Sequence, residues 1–354
     1  MTDNGEATAS APMRYPDVPV PGLGESPTPS TLRREIHDWI SSEAFGELMT
    51  SEGGEPTGSL EAQLAYLDGF SAAAWDFRAR ARKRADTRYV ERNQVSLDVV
   101  DGEREQIAVA AARALGLIEA HPPRLTSYDH ILVLGGLVRA NVWRSAYAAE
   151  LLTSRRVTAP RVTGLTAARK LSPNPADRSL DEPSLLRAFG LPQRATEDEV
   201  MQDALQRAFS LPEPLSSSET VNGEVDGKRC WAASQAVSKE LSVQMVVAAP
   251  EAEGGRRANT AETMQFWAGL EHVSPGDTIL FVTSAIYVPF QHAVAVQNLG
   301  LQFGARVETV AVDHTVIEPV PEPQPFRGTN YLQELRSAVR AYRQLVEAMG
   351  TDDE

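Results

Sequence analysis

Three short segments hold the residues whose types and spacing point to chemistry. In VQMVVAAPEAEGGRRANTAET an apolar run, Val243 to Ala249, stops at Pro250, and the polar turn after it carries Arg256 and Arg257. Asn259 and Thr260 then stand where a helix would begin, with Glu262 in its first turn. A helix start offers unpaired N–H groups and the positive end of a dipole, so an anion fits there. The same geometry serves an ordinary N-cap, and Asn259 and Thr260 suit either use. In ILVLGGLVRANVWR, Gly135 and Gly136 let backbone approach a ligand, and Arg139 or Arg144 can meet its negative charge. This is neither GxGxxG nor a P-loop, because the third glycine and the GK[ST] ending are missing. In DTILFVTSAIYVPFQHA, Thr283 and Ser284 directly follow a strand-like run, and Tyr287 and Gln291 add hydrogen-bonding ends. Tyr287, His292 and Asp313 (beside His314) are the acid–base candidates. Nothing around Ser284 resembles the GxSxG elbow of covalent hydrolases.

The elements that must position these residues are legible from hydrophobic spacing. Apolar runs ILVLGG, RRVTAPRVTGLT (ending near Gly164), VQMVVAA, DTILFVTS and ARVETVAV alternate with helical patterns from His130 onward. The last helix is YLQELRSAVRAYRQLVEAM. Such alternation predicts an α/β fold, a Rossmann-like three-layer sandwich with a mainly parallel sheet. Its ligand site belongs at the carboxyl ends of the strands, where strand order reverses. Before this comes an α-helical N-terminal region over 31–121. Leu32, Ile36, Trp39, Ile40 and Phe45 share one face, as do Leu60, Leu64, Leu67, Phe70 and Trp75 behind a Ser59 cap. Residues 1–30 read as a disordered tail, and 128–348 as the α/β ligand-binding domain, with an insertion at about 167–227. In that insertion Thr196 and Glu199 match a capping box.

Composition narrows the partners. The 354 residues carry a net charge of -14, which argues against nucleic-acid phosphates and anionic lipid surfaces. The basic run Arg78–Arg84 is short and reads as a solvated helix face. No window approaches the roughly 18 uninterrupted apolar residues of a membrane span. One cysteine, Cys230, excludes an intramolecular disulfide and fits a cytoplasmic protein. Six scattered histidines without HExxH spacing predict no metal site. No cofactor is named by any motif.

Taken together, the three segments resemble the SanA/ElyC/YdcF-like family. LGG followed by Arg144, Ala148 and Leu151 approximates its glycine–Arg–Ala-x-x-Leu pattern. Asn259, Thr260 and Glu262, with Thr263, echo its NTxEN element, and FVTSAIY its VTS strand end. The family's His, Pro, Arg and Ala after VTS are replaced here by Tyr287, Val288, Pro289, Phe290 and Gln291. The resemblance implies a Rossmann-like fold with a pocket for a small, anionic or nucleotide-like molecule.

Two functions are therefore expected from the sequence. One is an enzyme, a hydrolase or group transferase, acting on a nucleotide-like or phosphorylated small molecule. The other is a non-catalytic binding protein for a nucleotide or S-adenosylmethionine-type ligand. A scaffold with a relic pocket is the third, weaker alternative.

Overall fold

The computed structural model describes residues 13–23, 27–85, 102–175, 177–215, 218, 220–249, 258–317 and 323–350. Five helices come first: α1 (Pro29–Ile40), α2 (Glu43–Ser51), α3 (Leu60–Ala74), α4 (Phe77–Ala85) and α5 (Gly102–Ala114). The apolar faces predicted from sequence are the buried ones, with Leu32, Ile36, Trp39, Ile40 and Phe45 all inaccessible. The breaks between helices are local events. Ser42 accepts from the Phe45 N–H and so starts α2 where the stripe alone would run on. Ser59 caps α3 through the Ala62 N–H, as expected from its position.

Seven strands then form one sheet: β1 (His130–Leu134), β2 (Arg161–Ala167), β3 (Thr220–Val225), β4 (Lys228–Ala236), β5 (Ser242–Ala248), β6 (Thr278–Thr283) and β7 (Arg306–Ala311). Their order is β3-β4-β5-β2-β1-β6-β7. The run β5-β2-β1-β6-β7 is parallel, and β3 and β4 extend it as an antiparallel edge hairpin. Counting parallel strands alone, the order is 3-2-1-4-5, with its reversal between β1 and β6. The five runs read from sequence are these five strands. The hairpin was not foreseen, and β2 continues three residues past Gly164.

Both sheet faces are covered, as a parallel sheet requires. Ile131 and Val133 of β1 point to one side, with α6 (Val138–Thr153), α7 (Glu182–Ala188) and α8 (Glu197–Phe209). Leu132 and Leu134 point to the other, with α9 (Thr260–Glu271), α10 (Val288–Ala295) and α11 (Gly328–Met349). This alternation is the period-two geometry of a strand. The second cluster also contains the apolar residues of α1, α2, α3 and α5, so the N-terminal helices and the sheet share one hydrophobic core. Trp39 meets Tyr342 of α11 edge-on with ring centroids 5.2 Å apart. Among the described residues no helix is long and apolar enough to cross a membrane.

Candidate functional site

Beyond the carboxyl ends of the parallel strands lies a cavity of about 940 Å³ at the β1/β6 reversal. That is the size range of small-molecule and cofactor pockets. Its floor is built from strand ends: Gly135 and Gly136 after β1, Thr166 to Lys170 at and beyond the end of β2, and Ser284 after β6. Thr260 and Thr263 of α9, together with Tyr287, Phe290 and Gln291, form one wall. Arg78 of α4, Leu117, Ile118, Phe326 and Tyr331 close it from the side of the N-terminal helices.

Arg144 is the central side chain. It is 1% exposed, and its Nη1 donates to the carbonyls of Leu134 (2.6 Å) and Gly135 (2.8 Å). Its Nε and Nη2 donate to Ser284 Oγ at 3.3 and 3.1 Å. One guanidinium thus ties the end of β1 to the end of β6 and keeps a fixed charge beneath the cavity. Its Cζ lies 5.5 Å from the centre of the Tyr287 ring. Arg139, one turn earlier on α6, lines the cavity and donates to the Ser179 carbonyl. Burial lowers its pKa.

Several predicted residues prove to have structural duties. A Cβ at Gly135 would lie 2.7 Å from the Leu165 carbonyl oxygen, so glycine is required there by the approach of β1 to β2. Ahead of α6 the Gly136 N–H donates to Asn141 Oδ1 (3.0 Å), and the first N–H of the helix, that of Val138, is taken by Glu182 Oε1 (3.2 Å). Asn259 and Glu262 form a reciprocal capping box at 3.0 and 2.7 Å. Thr283 is fully buried and donates to Gln291 Oε1, which fixes the orientation of that amide. Arg256 and Arg257 lie outside the described residues.

The acid–base candidates separate. Tyr287 faces the cavity. His292 sits in the core beneath Gly22, its Nδ1 3.0 Å from Thr309 Oγ1, and burial pushes its pKa down to about 4. Asp313 accepts from the Thr315 N–H and hydroxyl, whose hydrogen bonds hold its carboxyl below the usual range. His314, next to it, lines the cavity and packs edge-on against Trp143 at 4.5 Å.

A buried ionic network behind the floor was not foreseen. Arg169 donates from Nε to Glu197 Oε2 (2.8 Å) and from Nη1 and Nη2 to the two Glu182 oxygens (both 3.0 Å). Thr166 donates to the other Glu197 oxygen (3.1 Å) and the Ser172 N–H to Glu182 (2.6 Å). Burial would lower the Arg169 pKa, but the hydrogen bonds and charges of Glu182 and Glu197 outweigh it and raise the value. Its position just past a strand end was the available signal, hidden because β2 was expected to stop at Gly164.

Fold and cavity together define a Rossmann-like α/β protein with a helical N-terminal region. The sequence family described as the Rv3785 N-terminal domain matches residues 24–116. The chain is 32% identical over 351 residues to "Uncharacterized protein Rv3785" of Mycobacterium tuberculosis (strain ATCC 25618 / H37Rv), covering 94% of this chain and 95% of that one. The same figures hold for "Uncharacterized protein Mb3814" of Mycobacterium bovis (strain ATCC BAA-935 / AF2122/97). The chain belongs to the Rv3785 family. No solved structure gives a significant match. These relationships overturn the SanA/ElyC/YdcF-like resemblance. The physical reason is visible in its motifs: a glycine forced by strand approach, a helix capping box and a threonine orienting an amide are devices that unrelated parallel sheets share.

Proposed function

We propose that the cavity binds a small anionic molecule, phosphorylated or nucleotide-like, at the carboxyl ends of the strands. The observation that carries this is the sign of its lining. Arg78, Arg139, Arg144 and Lys170 line it, and the remaining lining ions, Arg169 and Glu197, are tied up with Glu182 in the buried network, in a chain whose net charge is -14. An acidic surface around a cationic pocket concentrates field lines on the pocket and selects a small anion over an extended polyanion. Thr260, the first residue of α9, and Ser284 add hydroxyls to the lining that can donate to a phosphoryl oxygen. A cytoplasmic location belongs to the same reading, supported by the single, buried cysteine.

Turnover of that molecule by hydrolysis or group transfer is the second reading, favoured by one contact. The Tyr287 ring lines the cavity with its centre 5.5 Å from the Arg144 guanidinium, which brings a phenol and a fixed positive charge into one pocket. Thermal unfolding against nucleotides, sugar nucleotides, S-adenosylmethionine and inorganic phosphates tests both readings. A ligand at a hundredfold excess over its Kd should stabilise the protein by about 2.7 kcal/mol, and a Ser284→Ala/Thr260→Val double variant should lose most of that gain. Tyr287→Phe should keep the gain and abolish turnover of the compound found. An undiminished gain in the double variant would place the ligand elsewhere.

A further inference from the structure

One wall of the cavity is aromatic. Tyr287 comes from the β6–α10 turn and Phe290 from the first turn of α10, and Phe326 and Tyr331 from the approach to α11 and its first turn. Tyr287, Phe290 and Phe326 are only half-buried although they surround one cavity. Phe326 and Tyr331 pack edge-on, with centroids 6.2 Å apart. Among these rings stands Gln291, 8% exposed. The Thr283 hydroxyl occupies its amide oxygen, while its amide nitrogen has no hydrogen-bond partner among the described residues. A donor pair held in one orientation at the cavity lining, beside half-exposed rings, suits a flat, acceptor-bearing heterocycle. Leu117 and Ile118, at the end of the N-terminal helical region, extend the apolar surface.

We infer that this wall recognises a nucleobase, so that the cavity's ligand is a nucleotide and not a phosphorylated sugar or free phosphate. Phe290 and Phe326 offer ring faces to the base, and the Gln291 amide donates to an acceptor on its edge. The phosphates then fall to Arg139, Arg144, Thr260 and Ser284. The inference rests on the cavity being an anion site, and its failure is separable from failure of that reading.

The test is calorimetric titration of the full chain with ADP, GDP, UDP and CDP, and separately with inorganic pyrophosphate. At least one nucleoside diphosphate should bind at least tenfold more tightly than pyrophosphate. Loss of one base–aromatic stack in Phe326→Ala should weaken that nucleotide about tenfold, equivalent to about 1.4 kcal/mol, while changing pyrophosphate less than twofold. Gln291→Met removes the donors without adding charge and should show the same split. Pyrophosphate binding with no nucleotide tighter would overturn the inference alone, as would equal losses for both ligands in Phe326→Ala. Binding of neither probe to the unaltered chain would overturn the anion site and the inference together.

Discussion

At the scale of single residues, burial decides which ionisable groups are available. His292 was a candidate acid or base, yet its ring is wholly enclosed and its pKa sits near 4 against an ordinary 6.5. Between those values the unfolded chain takes up a proton that the native ring refuses, so stability rises with pH there and is lost on acidification. By pH 5 the loss from this one group is about 2 kcal/mol. Burial also lowers His130 and His314, which push in the same direction. Comparison of urea unfolding at pH 7 and pH 5 isolates the effect: His292→Asn, which can still reach Thr309, should lose about 2 kcal/mol less than the parent. Equal losses would show that another group carries the acid sensitivity. The residues that do face the cavity were found because of where they stand, directly after strands. Gly135 and the side chains of Ser284, Tyr287 and Gln291 are legible in that way. Phe326 and Tyr331 are not, since only the packing of α11 brings an otherwise ordinary loop aromatic and helix residue to the site.

At the scale of elements, the parallel strands were readable because each holds a run of apolar residues, and β1, β5 and β6 are closely followed by glycine, proline and a hydroxyl. The β3–β4 hairpin escaped because TVNGEV and KRCWAASQA are polar on one face and lie at the sheet edge. The α1–α2 and α3–α4 breaks escaped because an apolar stripe passes through them without interruption. Spacing records which face is buried and is silent about a change of direction. One inter-element contact is open to a direct test. The N–H of Gly328, first in α11, donates to Glu105 Oε1 of α5 at 2.7 Å, so an N-terminal helix receives the start of the final one. A carboxylate at a helix N-terminus gains from both the hydrogen bond and the dipole. Glu105→Ala should cost about 1 kcal/mol in denaturant unfolding, read as a lower midpoint at unchanged slope. No change in midpoint would mean that solvent replaces the carboxylate at no cost.

At the scale of the whole molecule, the apolar residues of the N-terminal helices and of one sheet face form a single cluster. The matched family stretch, 24–116, therefore ends within a shared core and not at its edge. Ion pairs across the same junction, Arg343 with Asp68 at 3.0 Å and Arg336 with Asp76 at 3.1 Å, add register more than energy. Calorimetry should accordingly give one transition, with calorimetric and van 't Hoff enthalpies in agreement. Two resolved transitions would identify the helical region as a unit that melts by itself.

The pairing of Trp39 with Tyr342 also sets a timetable for the newborn chain. A ribosome delivers α1 to α5 first, but the helix they lie against is the last one made. Tyr342 emerges about 300 residues after Trp39, which at ordinary elongation rates is a delay of about 15–60 s. Throughout that interval the surfaces of α1, α3 and α5 that meet α11 have no native partner to cover them. A message cut short before α11 would leave them permanently exposed, a marked target for chaperones and proteases.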